Sequence, residues 1–155
     1  FPENLDIECV AEYLAIKKSE NYIKEIEDNS ILVTADTIVV VDGVILGKPK
    51  NEQEAKDFLR LLSSKSHKVI TGCCLRNNKN ITKHFSQETI VKFKELTEEE
   101  IDYYVNKFKP FDKAGAYGIQ EWIGTVGIEN IQGDYYNVVG FPCNQFFKLA
   151  KEIME

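Results

Sequence analysis

The chain has 155 residues, 43% of them hydrophobic, and a formal net charge of −6. That length and apolar content suit one ordinary domain with a full core, and the acidic balance argues against a general nucleic-acid or anionic-membrane surface, since such binding rests on Lys and Arg neutralising many phosphates. The only arginines are Arg60 and Arg76, so a phosphate site must lean on Lys and metal rather than on bidentate guanidinium clamps.

No apolar run approaches the roughly 20 residues of a membrane span, and no signal-peptide pattern is present. Cys9, Cys73, Cys74 and Cys143 lack paired zinc-ligand spacing, and adjacent cysteines on a strand face opposite ways. Cys73 and Cys74 are therefore expected to be reduced packing residues, which suits a cytoplasmic protein. The chain starts at Phe1 and its only Met is Met154, so translation is expected to begin upstream.

In chain order, Val10, Leu14, Ala15, Tyr22, Ile23 and Ile26 recur at helical spacing and predict an amphipathic helix over 9–27, ended by "DNS" at 28–30. "ILVTADTIVVVDG", 31–43, reads as a buried strand closed by a hairpin, with "VILGKP" as the return strand. Asn51 with Glu54 opens a helix through Leu62, with Ala55, Phe58, Leu59 and Leu62 as its apolar face. Two long antiparallel strands flank the polar "RNNKN" turn, and Thr97 with Glu100 is a capping box for a helix through about Phe108. The small-residue run "KPFDKAGAYGIQ" and a glycine-punctuated region follow, leading to Pro142 as a first-turn residue of a closing helix. Hairpins and helices together predict a mixed α/β or α+β sheet with helices on its faces.

Asp36 is the residue that most needs a reason. A carboxylate among apolar neighbours costs several kcal/mol unless it is paired, hydrogen-bonded or metal-bound. Glu88, in "FSQETIVKF", likewise interrupts an apolar strand, and two acids on neighbouring strands could hold one divalent cation through oxygen ligands. Lys48 precedes a proline that fixes the chain's exit, and Lys113 precedes a run of small residues that lets a ligand approach the backbone. That run fits neither the Walker A nor the dinucleotide pattern. His67 and His84 read more readily as packed or hydrogen-bonding residues than as ligands. Tyr117, Trp122, Tyr135 and Tyr136 could stack on a base, though such spacing is more often core.

Taken in order, "TADTIVVVDGVILGKPKNEQEA", "HKVITG", "ETIVKF", "EEEIDYYV", "DKAGAYGIQ" and "IQGDYYNVVGFP" resemble the Maf family, the septum-formation-protein-like nucleotide pyrophosphatases, from about residue 31 to 142. The resemblance implies the elongated mixed sheet of the inosine triphosphatase fold, with helices on both sides, a cleft between two lobes, and usually a homodimer. It implies hydrolysis of a nucleoside triphosphate between its α- and β-phosphates, with Asp36 as general base and Lys48, Glu88 and Lys113 lining the phosphate and metal region. Asp36 and Glu88 would then be the ligands of a divalent cation, Mg²⁺ or Mn²⁺. Thr37 and Gln120 match the positions that separate the dTTP/UTP branch from the 7-methyl-GTP branch, and "ADT" with "YGIQ" is of the dTTP/UTP type. The family's S-x-S-P-R-R loop, a source of phosphate-binding arginines, has no counterpart here, so residues 1–155 are expected to form a single domain lacking the N-terminal strand and that loop. A non-catalytic nucleotide-binding or cell-division regulatory module using the same cleft is the alternative. An aspartyl-phosphate phosphatase is disfavoured because position 38 is Ile.

Overall fold

The computed structural model describes residues 1–155. It is a mixed α+β fold built on a five-stranded sheet of order β2-β1-β3-β4-β5. The strands are β1 (Ile31–Val41), β2 (Val44–Leu46), β3 (Ser66–Asn77), β4 (Thr82–Phe93) and β5 (Ile128–Gln132). The helices are α1 (Val10–Glu20), α2 (Glu52–Leu62), α3 (Glu98–Phe108), α4 (Trp122–Gly127), α5 (Tyr135–Val139) and α6 (Cys143–Met154).

Local chemistry accounts for most element boundaries. Asp42 and Gly43 take positive φ values of 50° and 75°, the left-handed pair a tight hairpin needs, and β1 and β2 pair antiparallel with Val41 opposite Val44. The Asn51 side chain accepts from Glu54 N–H at the start of α2. Thr97 and Glu100 form the expected reciprocal capping box of α3, satisfying two N–H groups that a helix start leaves without intrahelical partners.

Contacts divide the chain into two compact units. The first holds Phe1–Thr37, Ile70–Gln87 and Gly140–Glu155, and the second Ile38–Val69 and Glu88–Val139. The core of the first is Cys73, Leu75, Phe85 and Ile153, packed by Ile31, Val33, Phe146 and Leu149. Cys73 and Cys74 are buried free thiols, and burial, helped by the neighbouring Cys74, pushes the Cys73 thiol up to about 12. Both are packing residues, as expected. In the same unit α1 lies directly on β3: a Cβ at Gly72 would stand 2.2 Å from Glu12 N. Thr34 Oγ1 adds a hydrogen bond to Ala15 O at 2.7 Å.

The second unit has the larger core, including Val39, Leu59, Leu62, Val69, Phe93, Ile101, Tyr104 and Tyr117. His67 belongs to it, 2% exposed, with Nε2 2.7 Å from Tyr117 Oη and no partner for Nδ1. Burial pushes its pKa down to about 4.

Several expectations need correction. The first helix ends at Glu20 rather than running to 27, and a short 3-10 turn, Ile23–Glu25, follows. Tyr22 and Ile23, counted there as apolar-face residues, are exposed. Strand β1 is fully buried only from Ile38 to Val41, its first seven residues being half-exposed. Pro142 is the N-cap of α6 rather than a residue of its first turn. The glycine-punctuated region contains α4, β5 and α5, whose short lengths leave little periodicity to detect.

Candidate functional site

In the first unit, α1 carries Lys18 to Asp36. The ammonium stands 2.7 Å from Asp36 Oδ2 and also donates to Ala35 O at 3.2 Å. The other carboxylate oxygen, Oδ1, accepts from the N–H of Thr37 at 3.0 Å. Asp36 is thus ion-paired and hydrogen-bonded, and its side chain is 24% exposed. The premise that it is an acid sunk in apolar surroundings is replaced by a half-buried carboxylate with a fixed direction. Thr37 Oγ1 lies 2.9 Å from Thr71 Oγ1, and the buried Thr71 sets the rotamer of the predicted base-selecting residue. Neither Lys18 nor Thr71 was singled out in the sequence. Lys18 is one of many lysines on a helix, and its role becomes visible only once Gly72 is seen to seat that helix on β3.

In the second unit, Lys48, Lys113 and Gln120 come from two turns tied together. Gly115 N–H donates to Gly47 O at 3.0 Å, which joins the turn after Lys113 to the residue before Lys48. Gly115 has φ of 71° and no room for a side chain, because a Cβ there would stand 2.9 Å from Val39 Cγ2. Lys48 is exposed and followed by the buried Pro49. Both lysines act on Asp112: a hydrogen bond from Lys113, then more weakly the charges of Lys113 and Lys48, hold its carboxyl below the usual range. Lys113 lies 3.1 Å from Asp112 Oδ1 and 3.5 Å from Glu121 Oε1. Burial alone would lower its pKa, but the two carboxylates outweigh that and raise it.

Gln120 is exposed on a turn closed by Glu121 N–H donating to Gly118 O at 3.0 Å. Helix α4 locks that turn from behind, since a Cβ at Gly124 would stand 1.8 Å from Ile119 O. Glu88 belongs to the same unit, on β4, and its ion-pair partner is Lys68 at 3.2 Å, both side chains being 38% exposed.

The expectation that the two predicted metal ligands sit on neighbouring strands is corrected: Asp36 is on β1 and Glu88 on β4, with β3 between them in the sheet order. They fall in different units, Asp36 in the first and Glu88 in the second. Each carboxylate holds a lysine ammonium, and no group of three or more His, Cys, Asp or Glu side chains is arranged to hold a metal ion. His84 meets Glu12 at 2.5 Å, and His67 meets Tyr117, so both histidines make the structural contacts expected of them. Trp122 packs edge-on against Tyr103 and Tyr117 is core, whereas Tyr135 and Tyr136 are exposed.

Asp36, Thr37, Lys48, Glu88, Lys113 and Gln120 all lie within the motifs that resemble the Maf family. The chain matches the family described as Maf-like protein over residues 2–153. It belongs to the Maf family.

Among its relatives is a protein of Christiangramia forsetii named dTTP/UTP pyrophosphatase, 48% identical over 154 residues, covering 99% of this chain and 78% of the relative. A protein of the same name from Porphyromonas gingivalis is 45% identical over 157 residues, covering 100% and 78%. A third, from Phocaeicola vulgatus, is 45% identical over 153 residues, covering 99% and 79%. No helix of this chain is long and apolar enough to cross a membrane.

Proposed function

We propose that this protein hydrolyses dTTP and UTP to the monophosphate and pyrophosphate, residues 1–155 acting as one catalytic domain. The observation that carries the reading is the match, over nearly the whole chain, to relatives named for that activity. Each predicted side chain then has a task its environment suits. Attack at the α-phosphate needs an oriented water, a base, and positive charge to meet the leaving pyrophosphate. Asp36 takes the proton of the attacking water, its direction fixed by Lys18 and the Thr37 N–H. Lys48 and Lys113 neutralise phosphate oxygens as point charges. Thr37 and Gln120 present a hydroxyl and an amide, whose donors and acceptors match the edge of uracil or thymine.

Asp36 on β1 and Glu88 on β4, each taken singly, have the oxygen chemistry that a hard divalent cation binds. Both are half-exposed carboxylates already engaged with an ammonium, so each accommodates a positive partner, and one or two carboxylates are the protein share that Mg²⁺ takes beside waters and substrate phosphates. Mn²⁺ suits the same oxygens. When bound, such a cation neutralises phosphate charge and acidifies coordinated water. The reading places the enzyme in the cytoplasm, in keeping with its free thiols, as a homodimer acting on free nucleotides and not on nucleic acid.

The test is pyrophosphate release from UTP and dTTP in the presence of Mg²⁺. Turnover of both is expected. Tight UTP binding without pyrophosphate release overturns the reading in favour of a nucleotide-binding regulatory module.

A further inference from the structure

Lys113 is held by two carboxylates of different character. Asp112, at 3.1 Å, has a side chain 77% exposed, whereas that of Glu121, at 3.5 Å, is only 22% exposed. An exposed neighbour on a mobile side chain cannot fix an ammonium; a half-buried one with its own anchor can. Glu121 has such an anchor. Tyr104, at 0% exposure, donates its phenol hydrogen to Glu121 Oε1 at 2.9 Å, and the same Oη accepts from Gly118 N–H at 3.0 Å.

The hydroxyl is what needs explaining. Tyr104 is part of the core cluster that also holds Ile101 and Val105, with Phe108 packed against it, and a phenylalanine would fill the same space without placing a polar atom in the interior. A buried hydroxyl with no partner costs about 1–3 kcal/mol, yet here both of its capacities are used, one on the backbone of the 118–121 turn and one on the acid that faces Lys113. The packing around Gly118 has the same focus. A Cβ there would stand 2.6 Å from Glu121 Oε1 and 2.8 Å from Lys113 Cε, so the ion pair lies across a bare stretch of backbone.

We infer that Tyr104 and Glu121 are positioning residues of the enzyme: the buried phenol orients the Glu121 carboxylate, and that carboxylate sets the place of the Lys113 ammonium that meets substrate phosphate. Neither touches the nucleotide. The inference rests on the hydrolase reading above, and within it assigns the Tyr104–Glu121–Lys113 chain the work of pre-organising one cation. Burial raises the phenol's pKa, so the hydroxyl keeps the hydrogen it donates.

A double-mutant cycle tests this. Tyr104→Phe and Glu121→Gln are each made alone and in a Lys113→Met background, and kcat and KM for UTP are measured, with UTP affinity by calorimetry run through the same cycle in case Lys113→Met turns over too slowly to assay. Each single variant is expected to lower kcat/KM about tenfold, mostly through KM, and each should change it less than about twofold once Lys113 is gone. Losses of the same size in both backgrounds mean that the two residues act by general stability and overturn the inference. Circular dichroism checks folding, and if Tyr104→Phe does not fold, Glu121→Gln alone decides. A wild-type protein that binds UTP but releases no pyrophosphate overturns the hydrolase reading and this inference with it, whereas an active wild type with an additive cycle overturns this inference alone.

Discussion

The Lys18 ammonium reaches across from α1 to stand 2.7 Å from Asp36 Oδ2, while Oδ1 of the same carboxylate takes the N–H of the next residue in its strand. The carboxylate is therefore held in a fixed direction before substrate arrives. With Lys18 52% exposed, the pair contributes at most about 1 kcal/mol to stability. Its consequence lies in orientation.

The first prediction separates those two roles. Asp36→Asn keeps the shape and the Thr37 N–H contact but removes the base, and turnover of UTP should fall by roughly 10²–10⁴-fold with the melting temperature little changed. Lys18→Gln should also lower turnover while leaving the fold intact. Near-normal kcat in Asp36→Asn would remove this residue from the chemistry.

Base choice gives the second. A site that reads a pyrimidine edge through hydrogen bonds rejects a base that leaves those groups unpaired, by factors larger than shape alone achieves. UTP and dTTP should be hydrolysed in preference to ATP and 7-methyl-GTP, and Gln120→Glu, which replaces the amide donor with a charged acceptor, should narrow the gap. Competition assays with paired nucleotides measure it directly, and fastest turnover of 7-methyl-GTP by the unaltered protein would refute the assignment of Thr37 and Gln120.

The residues that were legible in the sequence share one property: their signal is local. Asp42–Gly43 specifies a hairpin, and Thr97 with Glu100 caps a helix, through neighbours within a few positions. The order of short motifs placed the chain in its family and pointed to Asp36, Lys48 and Lys113. What was not legible depends on contacts distant in sequence. Lys18 meets Asp36, Thr71 meets Thr37, and Tyr104 reaches Glu121 only after the strands are stacked and the helices seated. Tyr22 and Ile23 misled for the complementary reason: helical spacing of apolar side chains sets a prior on burial, and the turn after Glu20 overrides it.

Gly72 offers a third prediction, on stability. A methyl group at this position would overlap the backbone of α1, 2.2 Å from Glu12 N and 2.3 Å from Ala11 C. A helix backbone cannot rotate aside as a side chain can, so α1 must lift from β3. Gly72→Ala should cost on the order of 1–3 kcal/mol or more and, because Lys18 rides on that helix, should lower turnover as well. Urea denaturation and the UTP assay on the same sample test both, and a wild-type midpoint in Gly72→Ala would show that α1 is not seated there.

The fourth concerns acid. Histidine ordinarily takes its proton near 6.5, but burial holds His67 neutral until about 4. Between those values the unfolded chain binds a proton that the native protein does not, so native stability declines as protons become available to the unfolded state. The contribution of His67 is therefore present in full above pH 6.5 and is lost as pH falls toward 4. At about 1.36 kcal/mol per pKa unit, the loss is on the order of 3 kcal/mol. His67→Gln has no proton to take up in this range and keeps an amide within reach of the Tyr117 hydroxyl. Denaturant midpoints measured every half unit from pH 7 to pH 4 should fall less steeply in His67→Gln than in the wild type, and parallel curves would show that other groups govern the acid response.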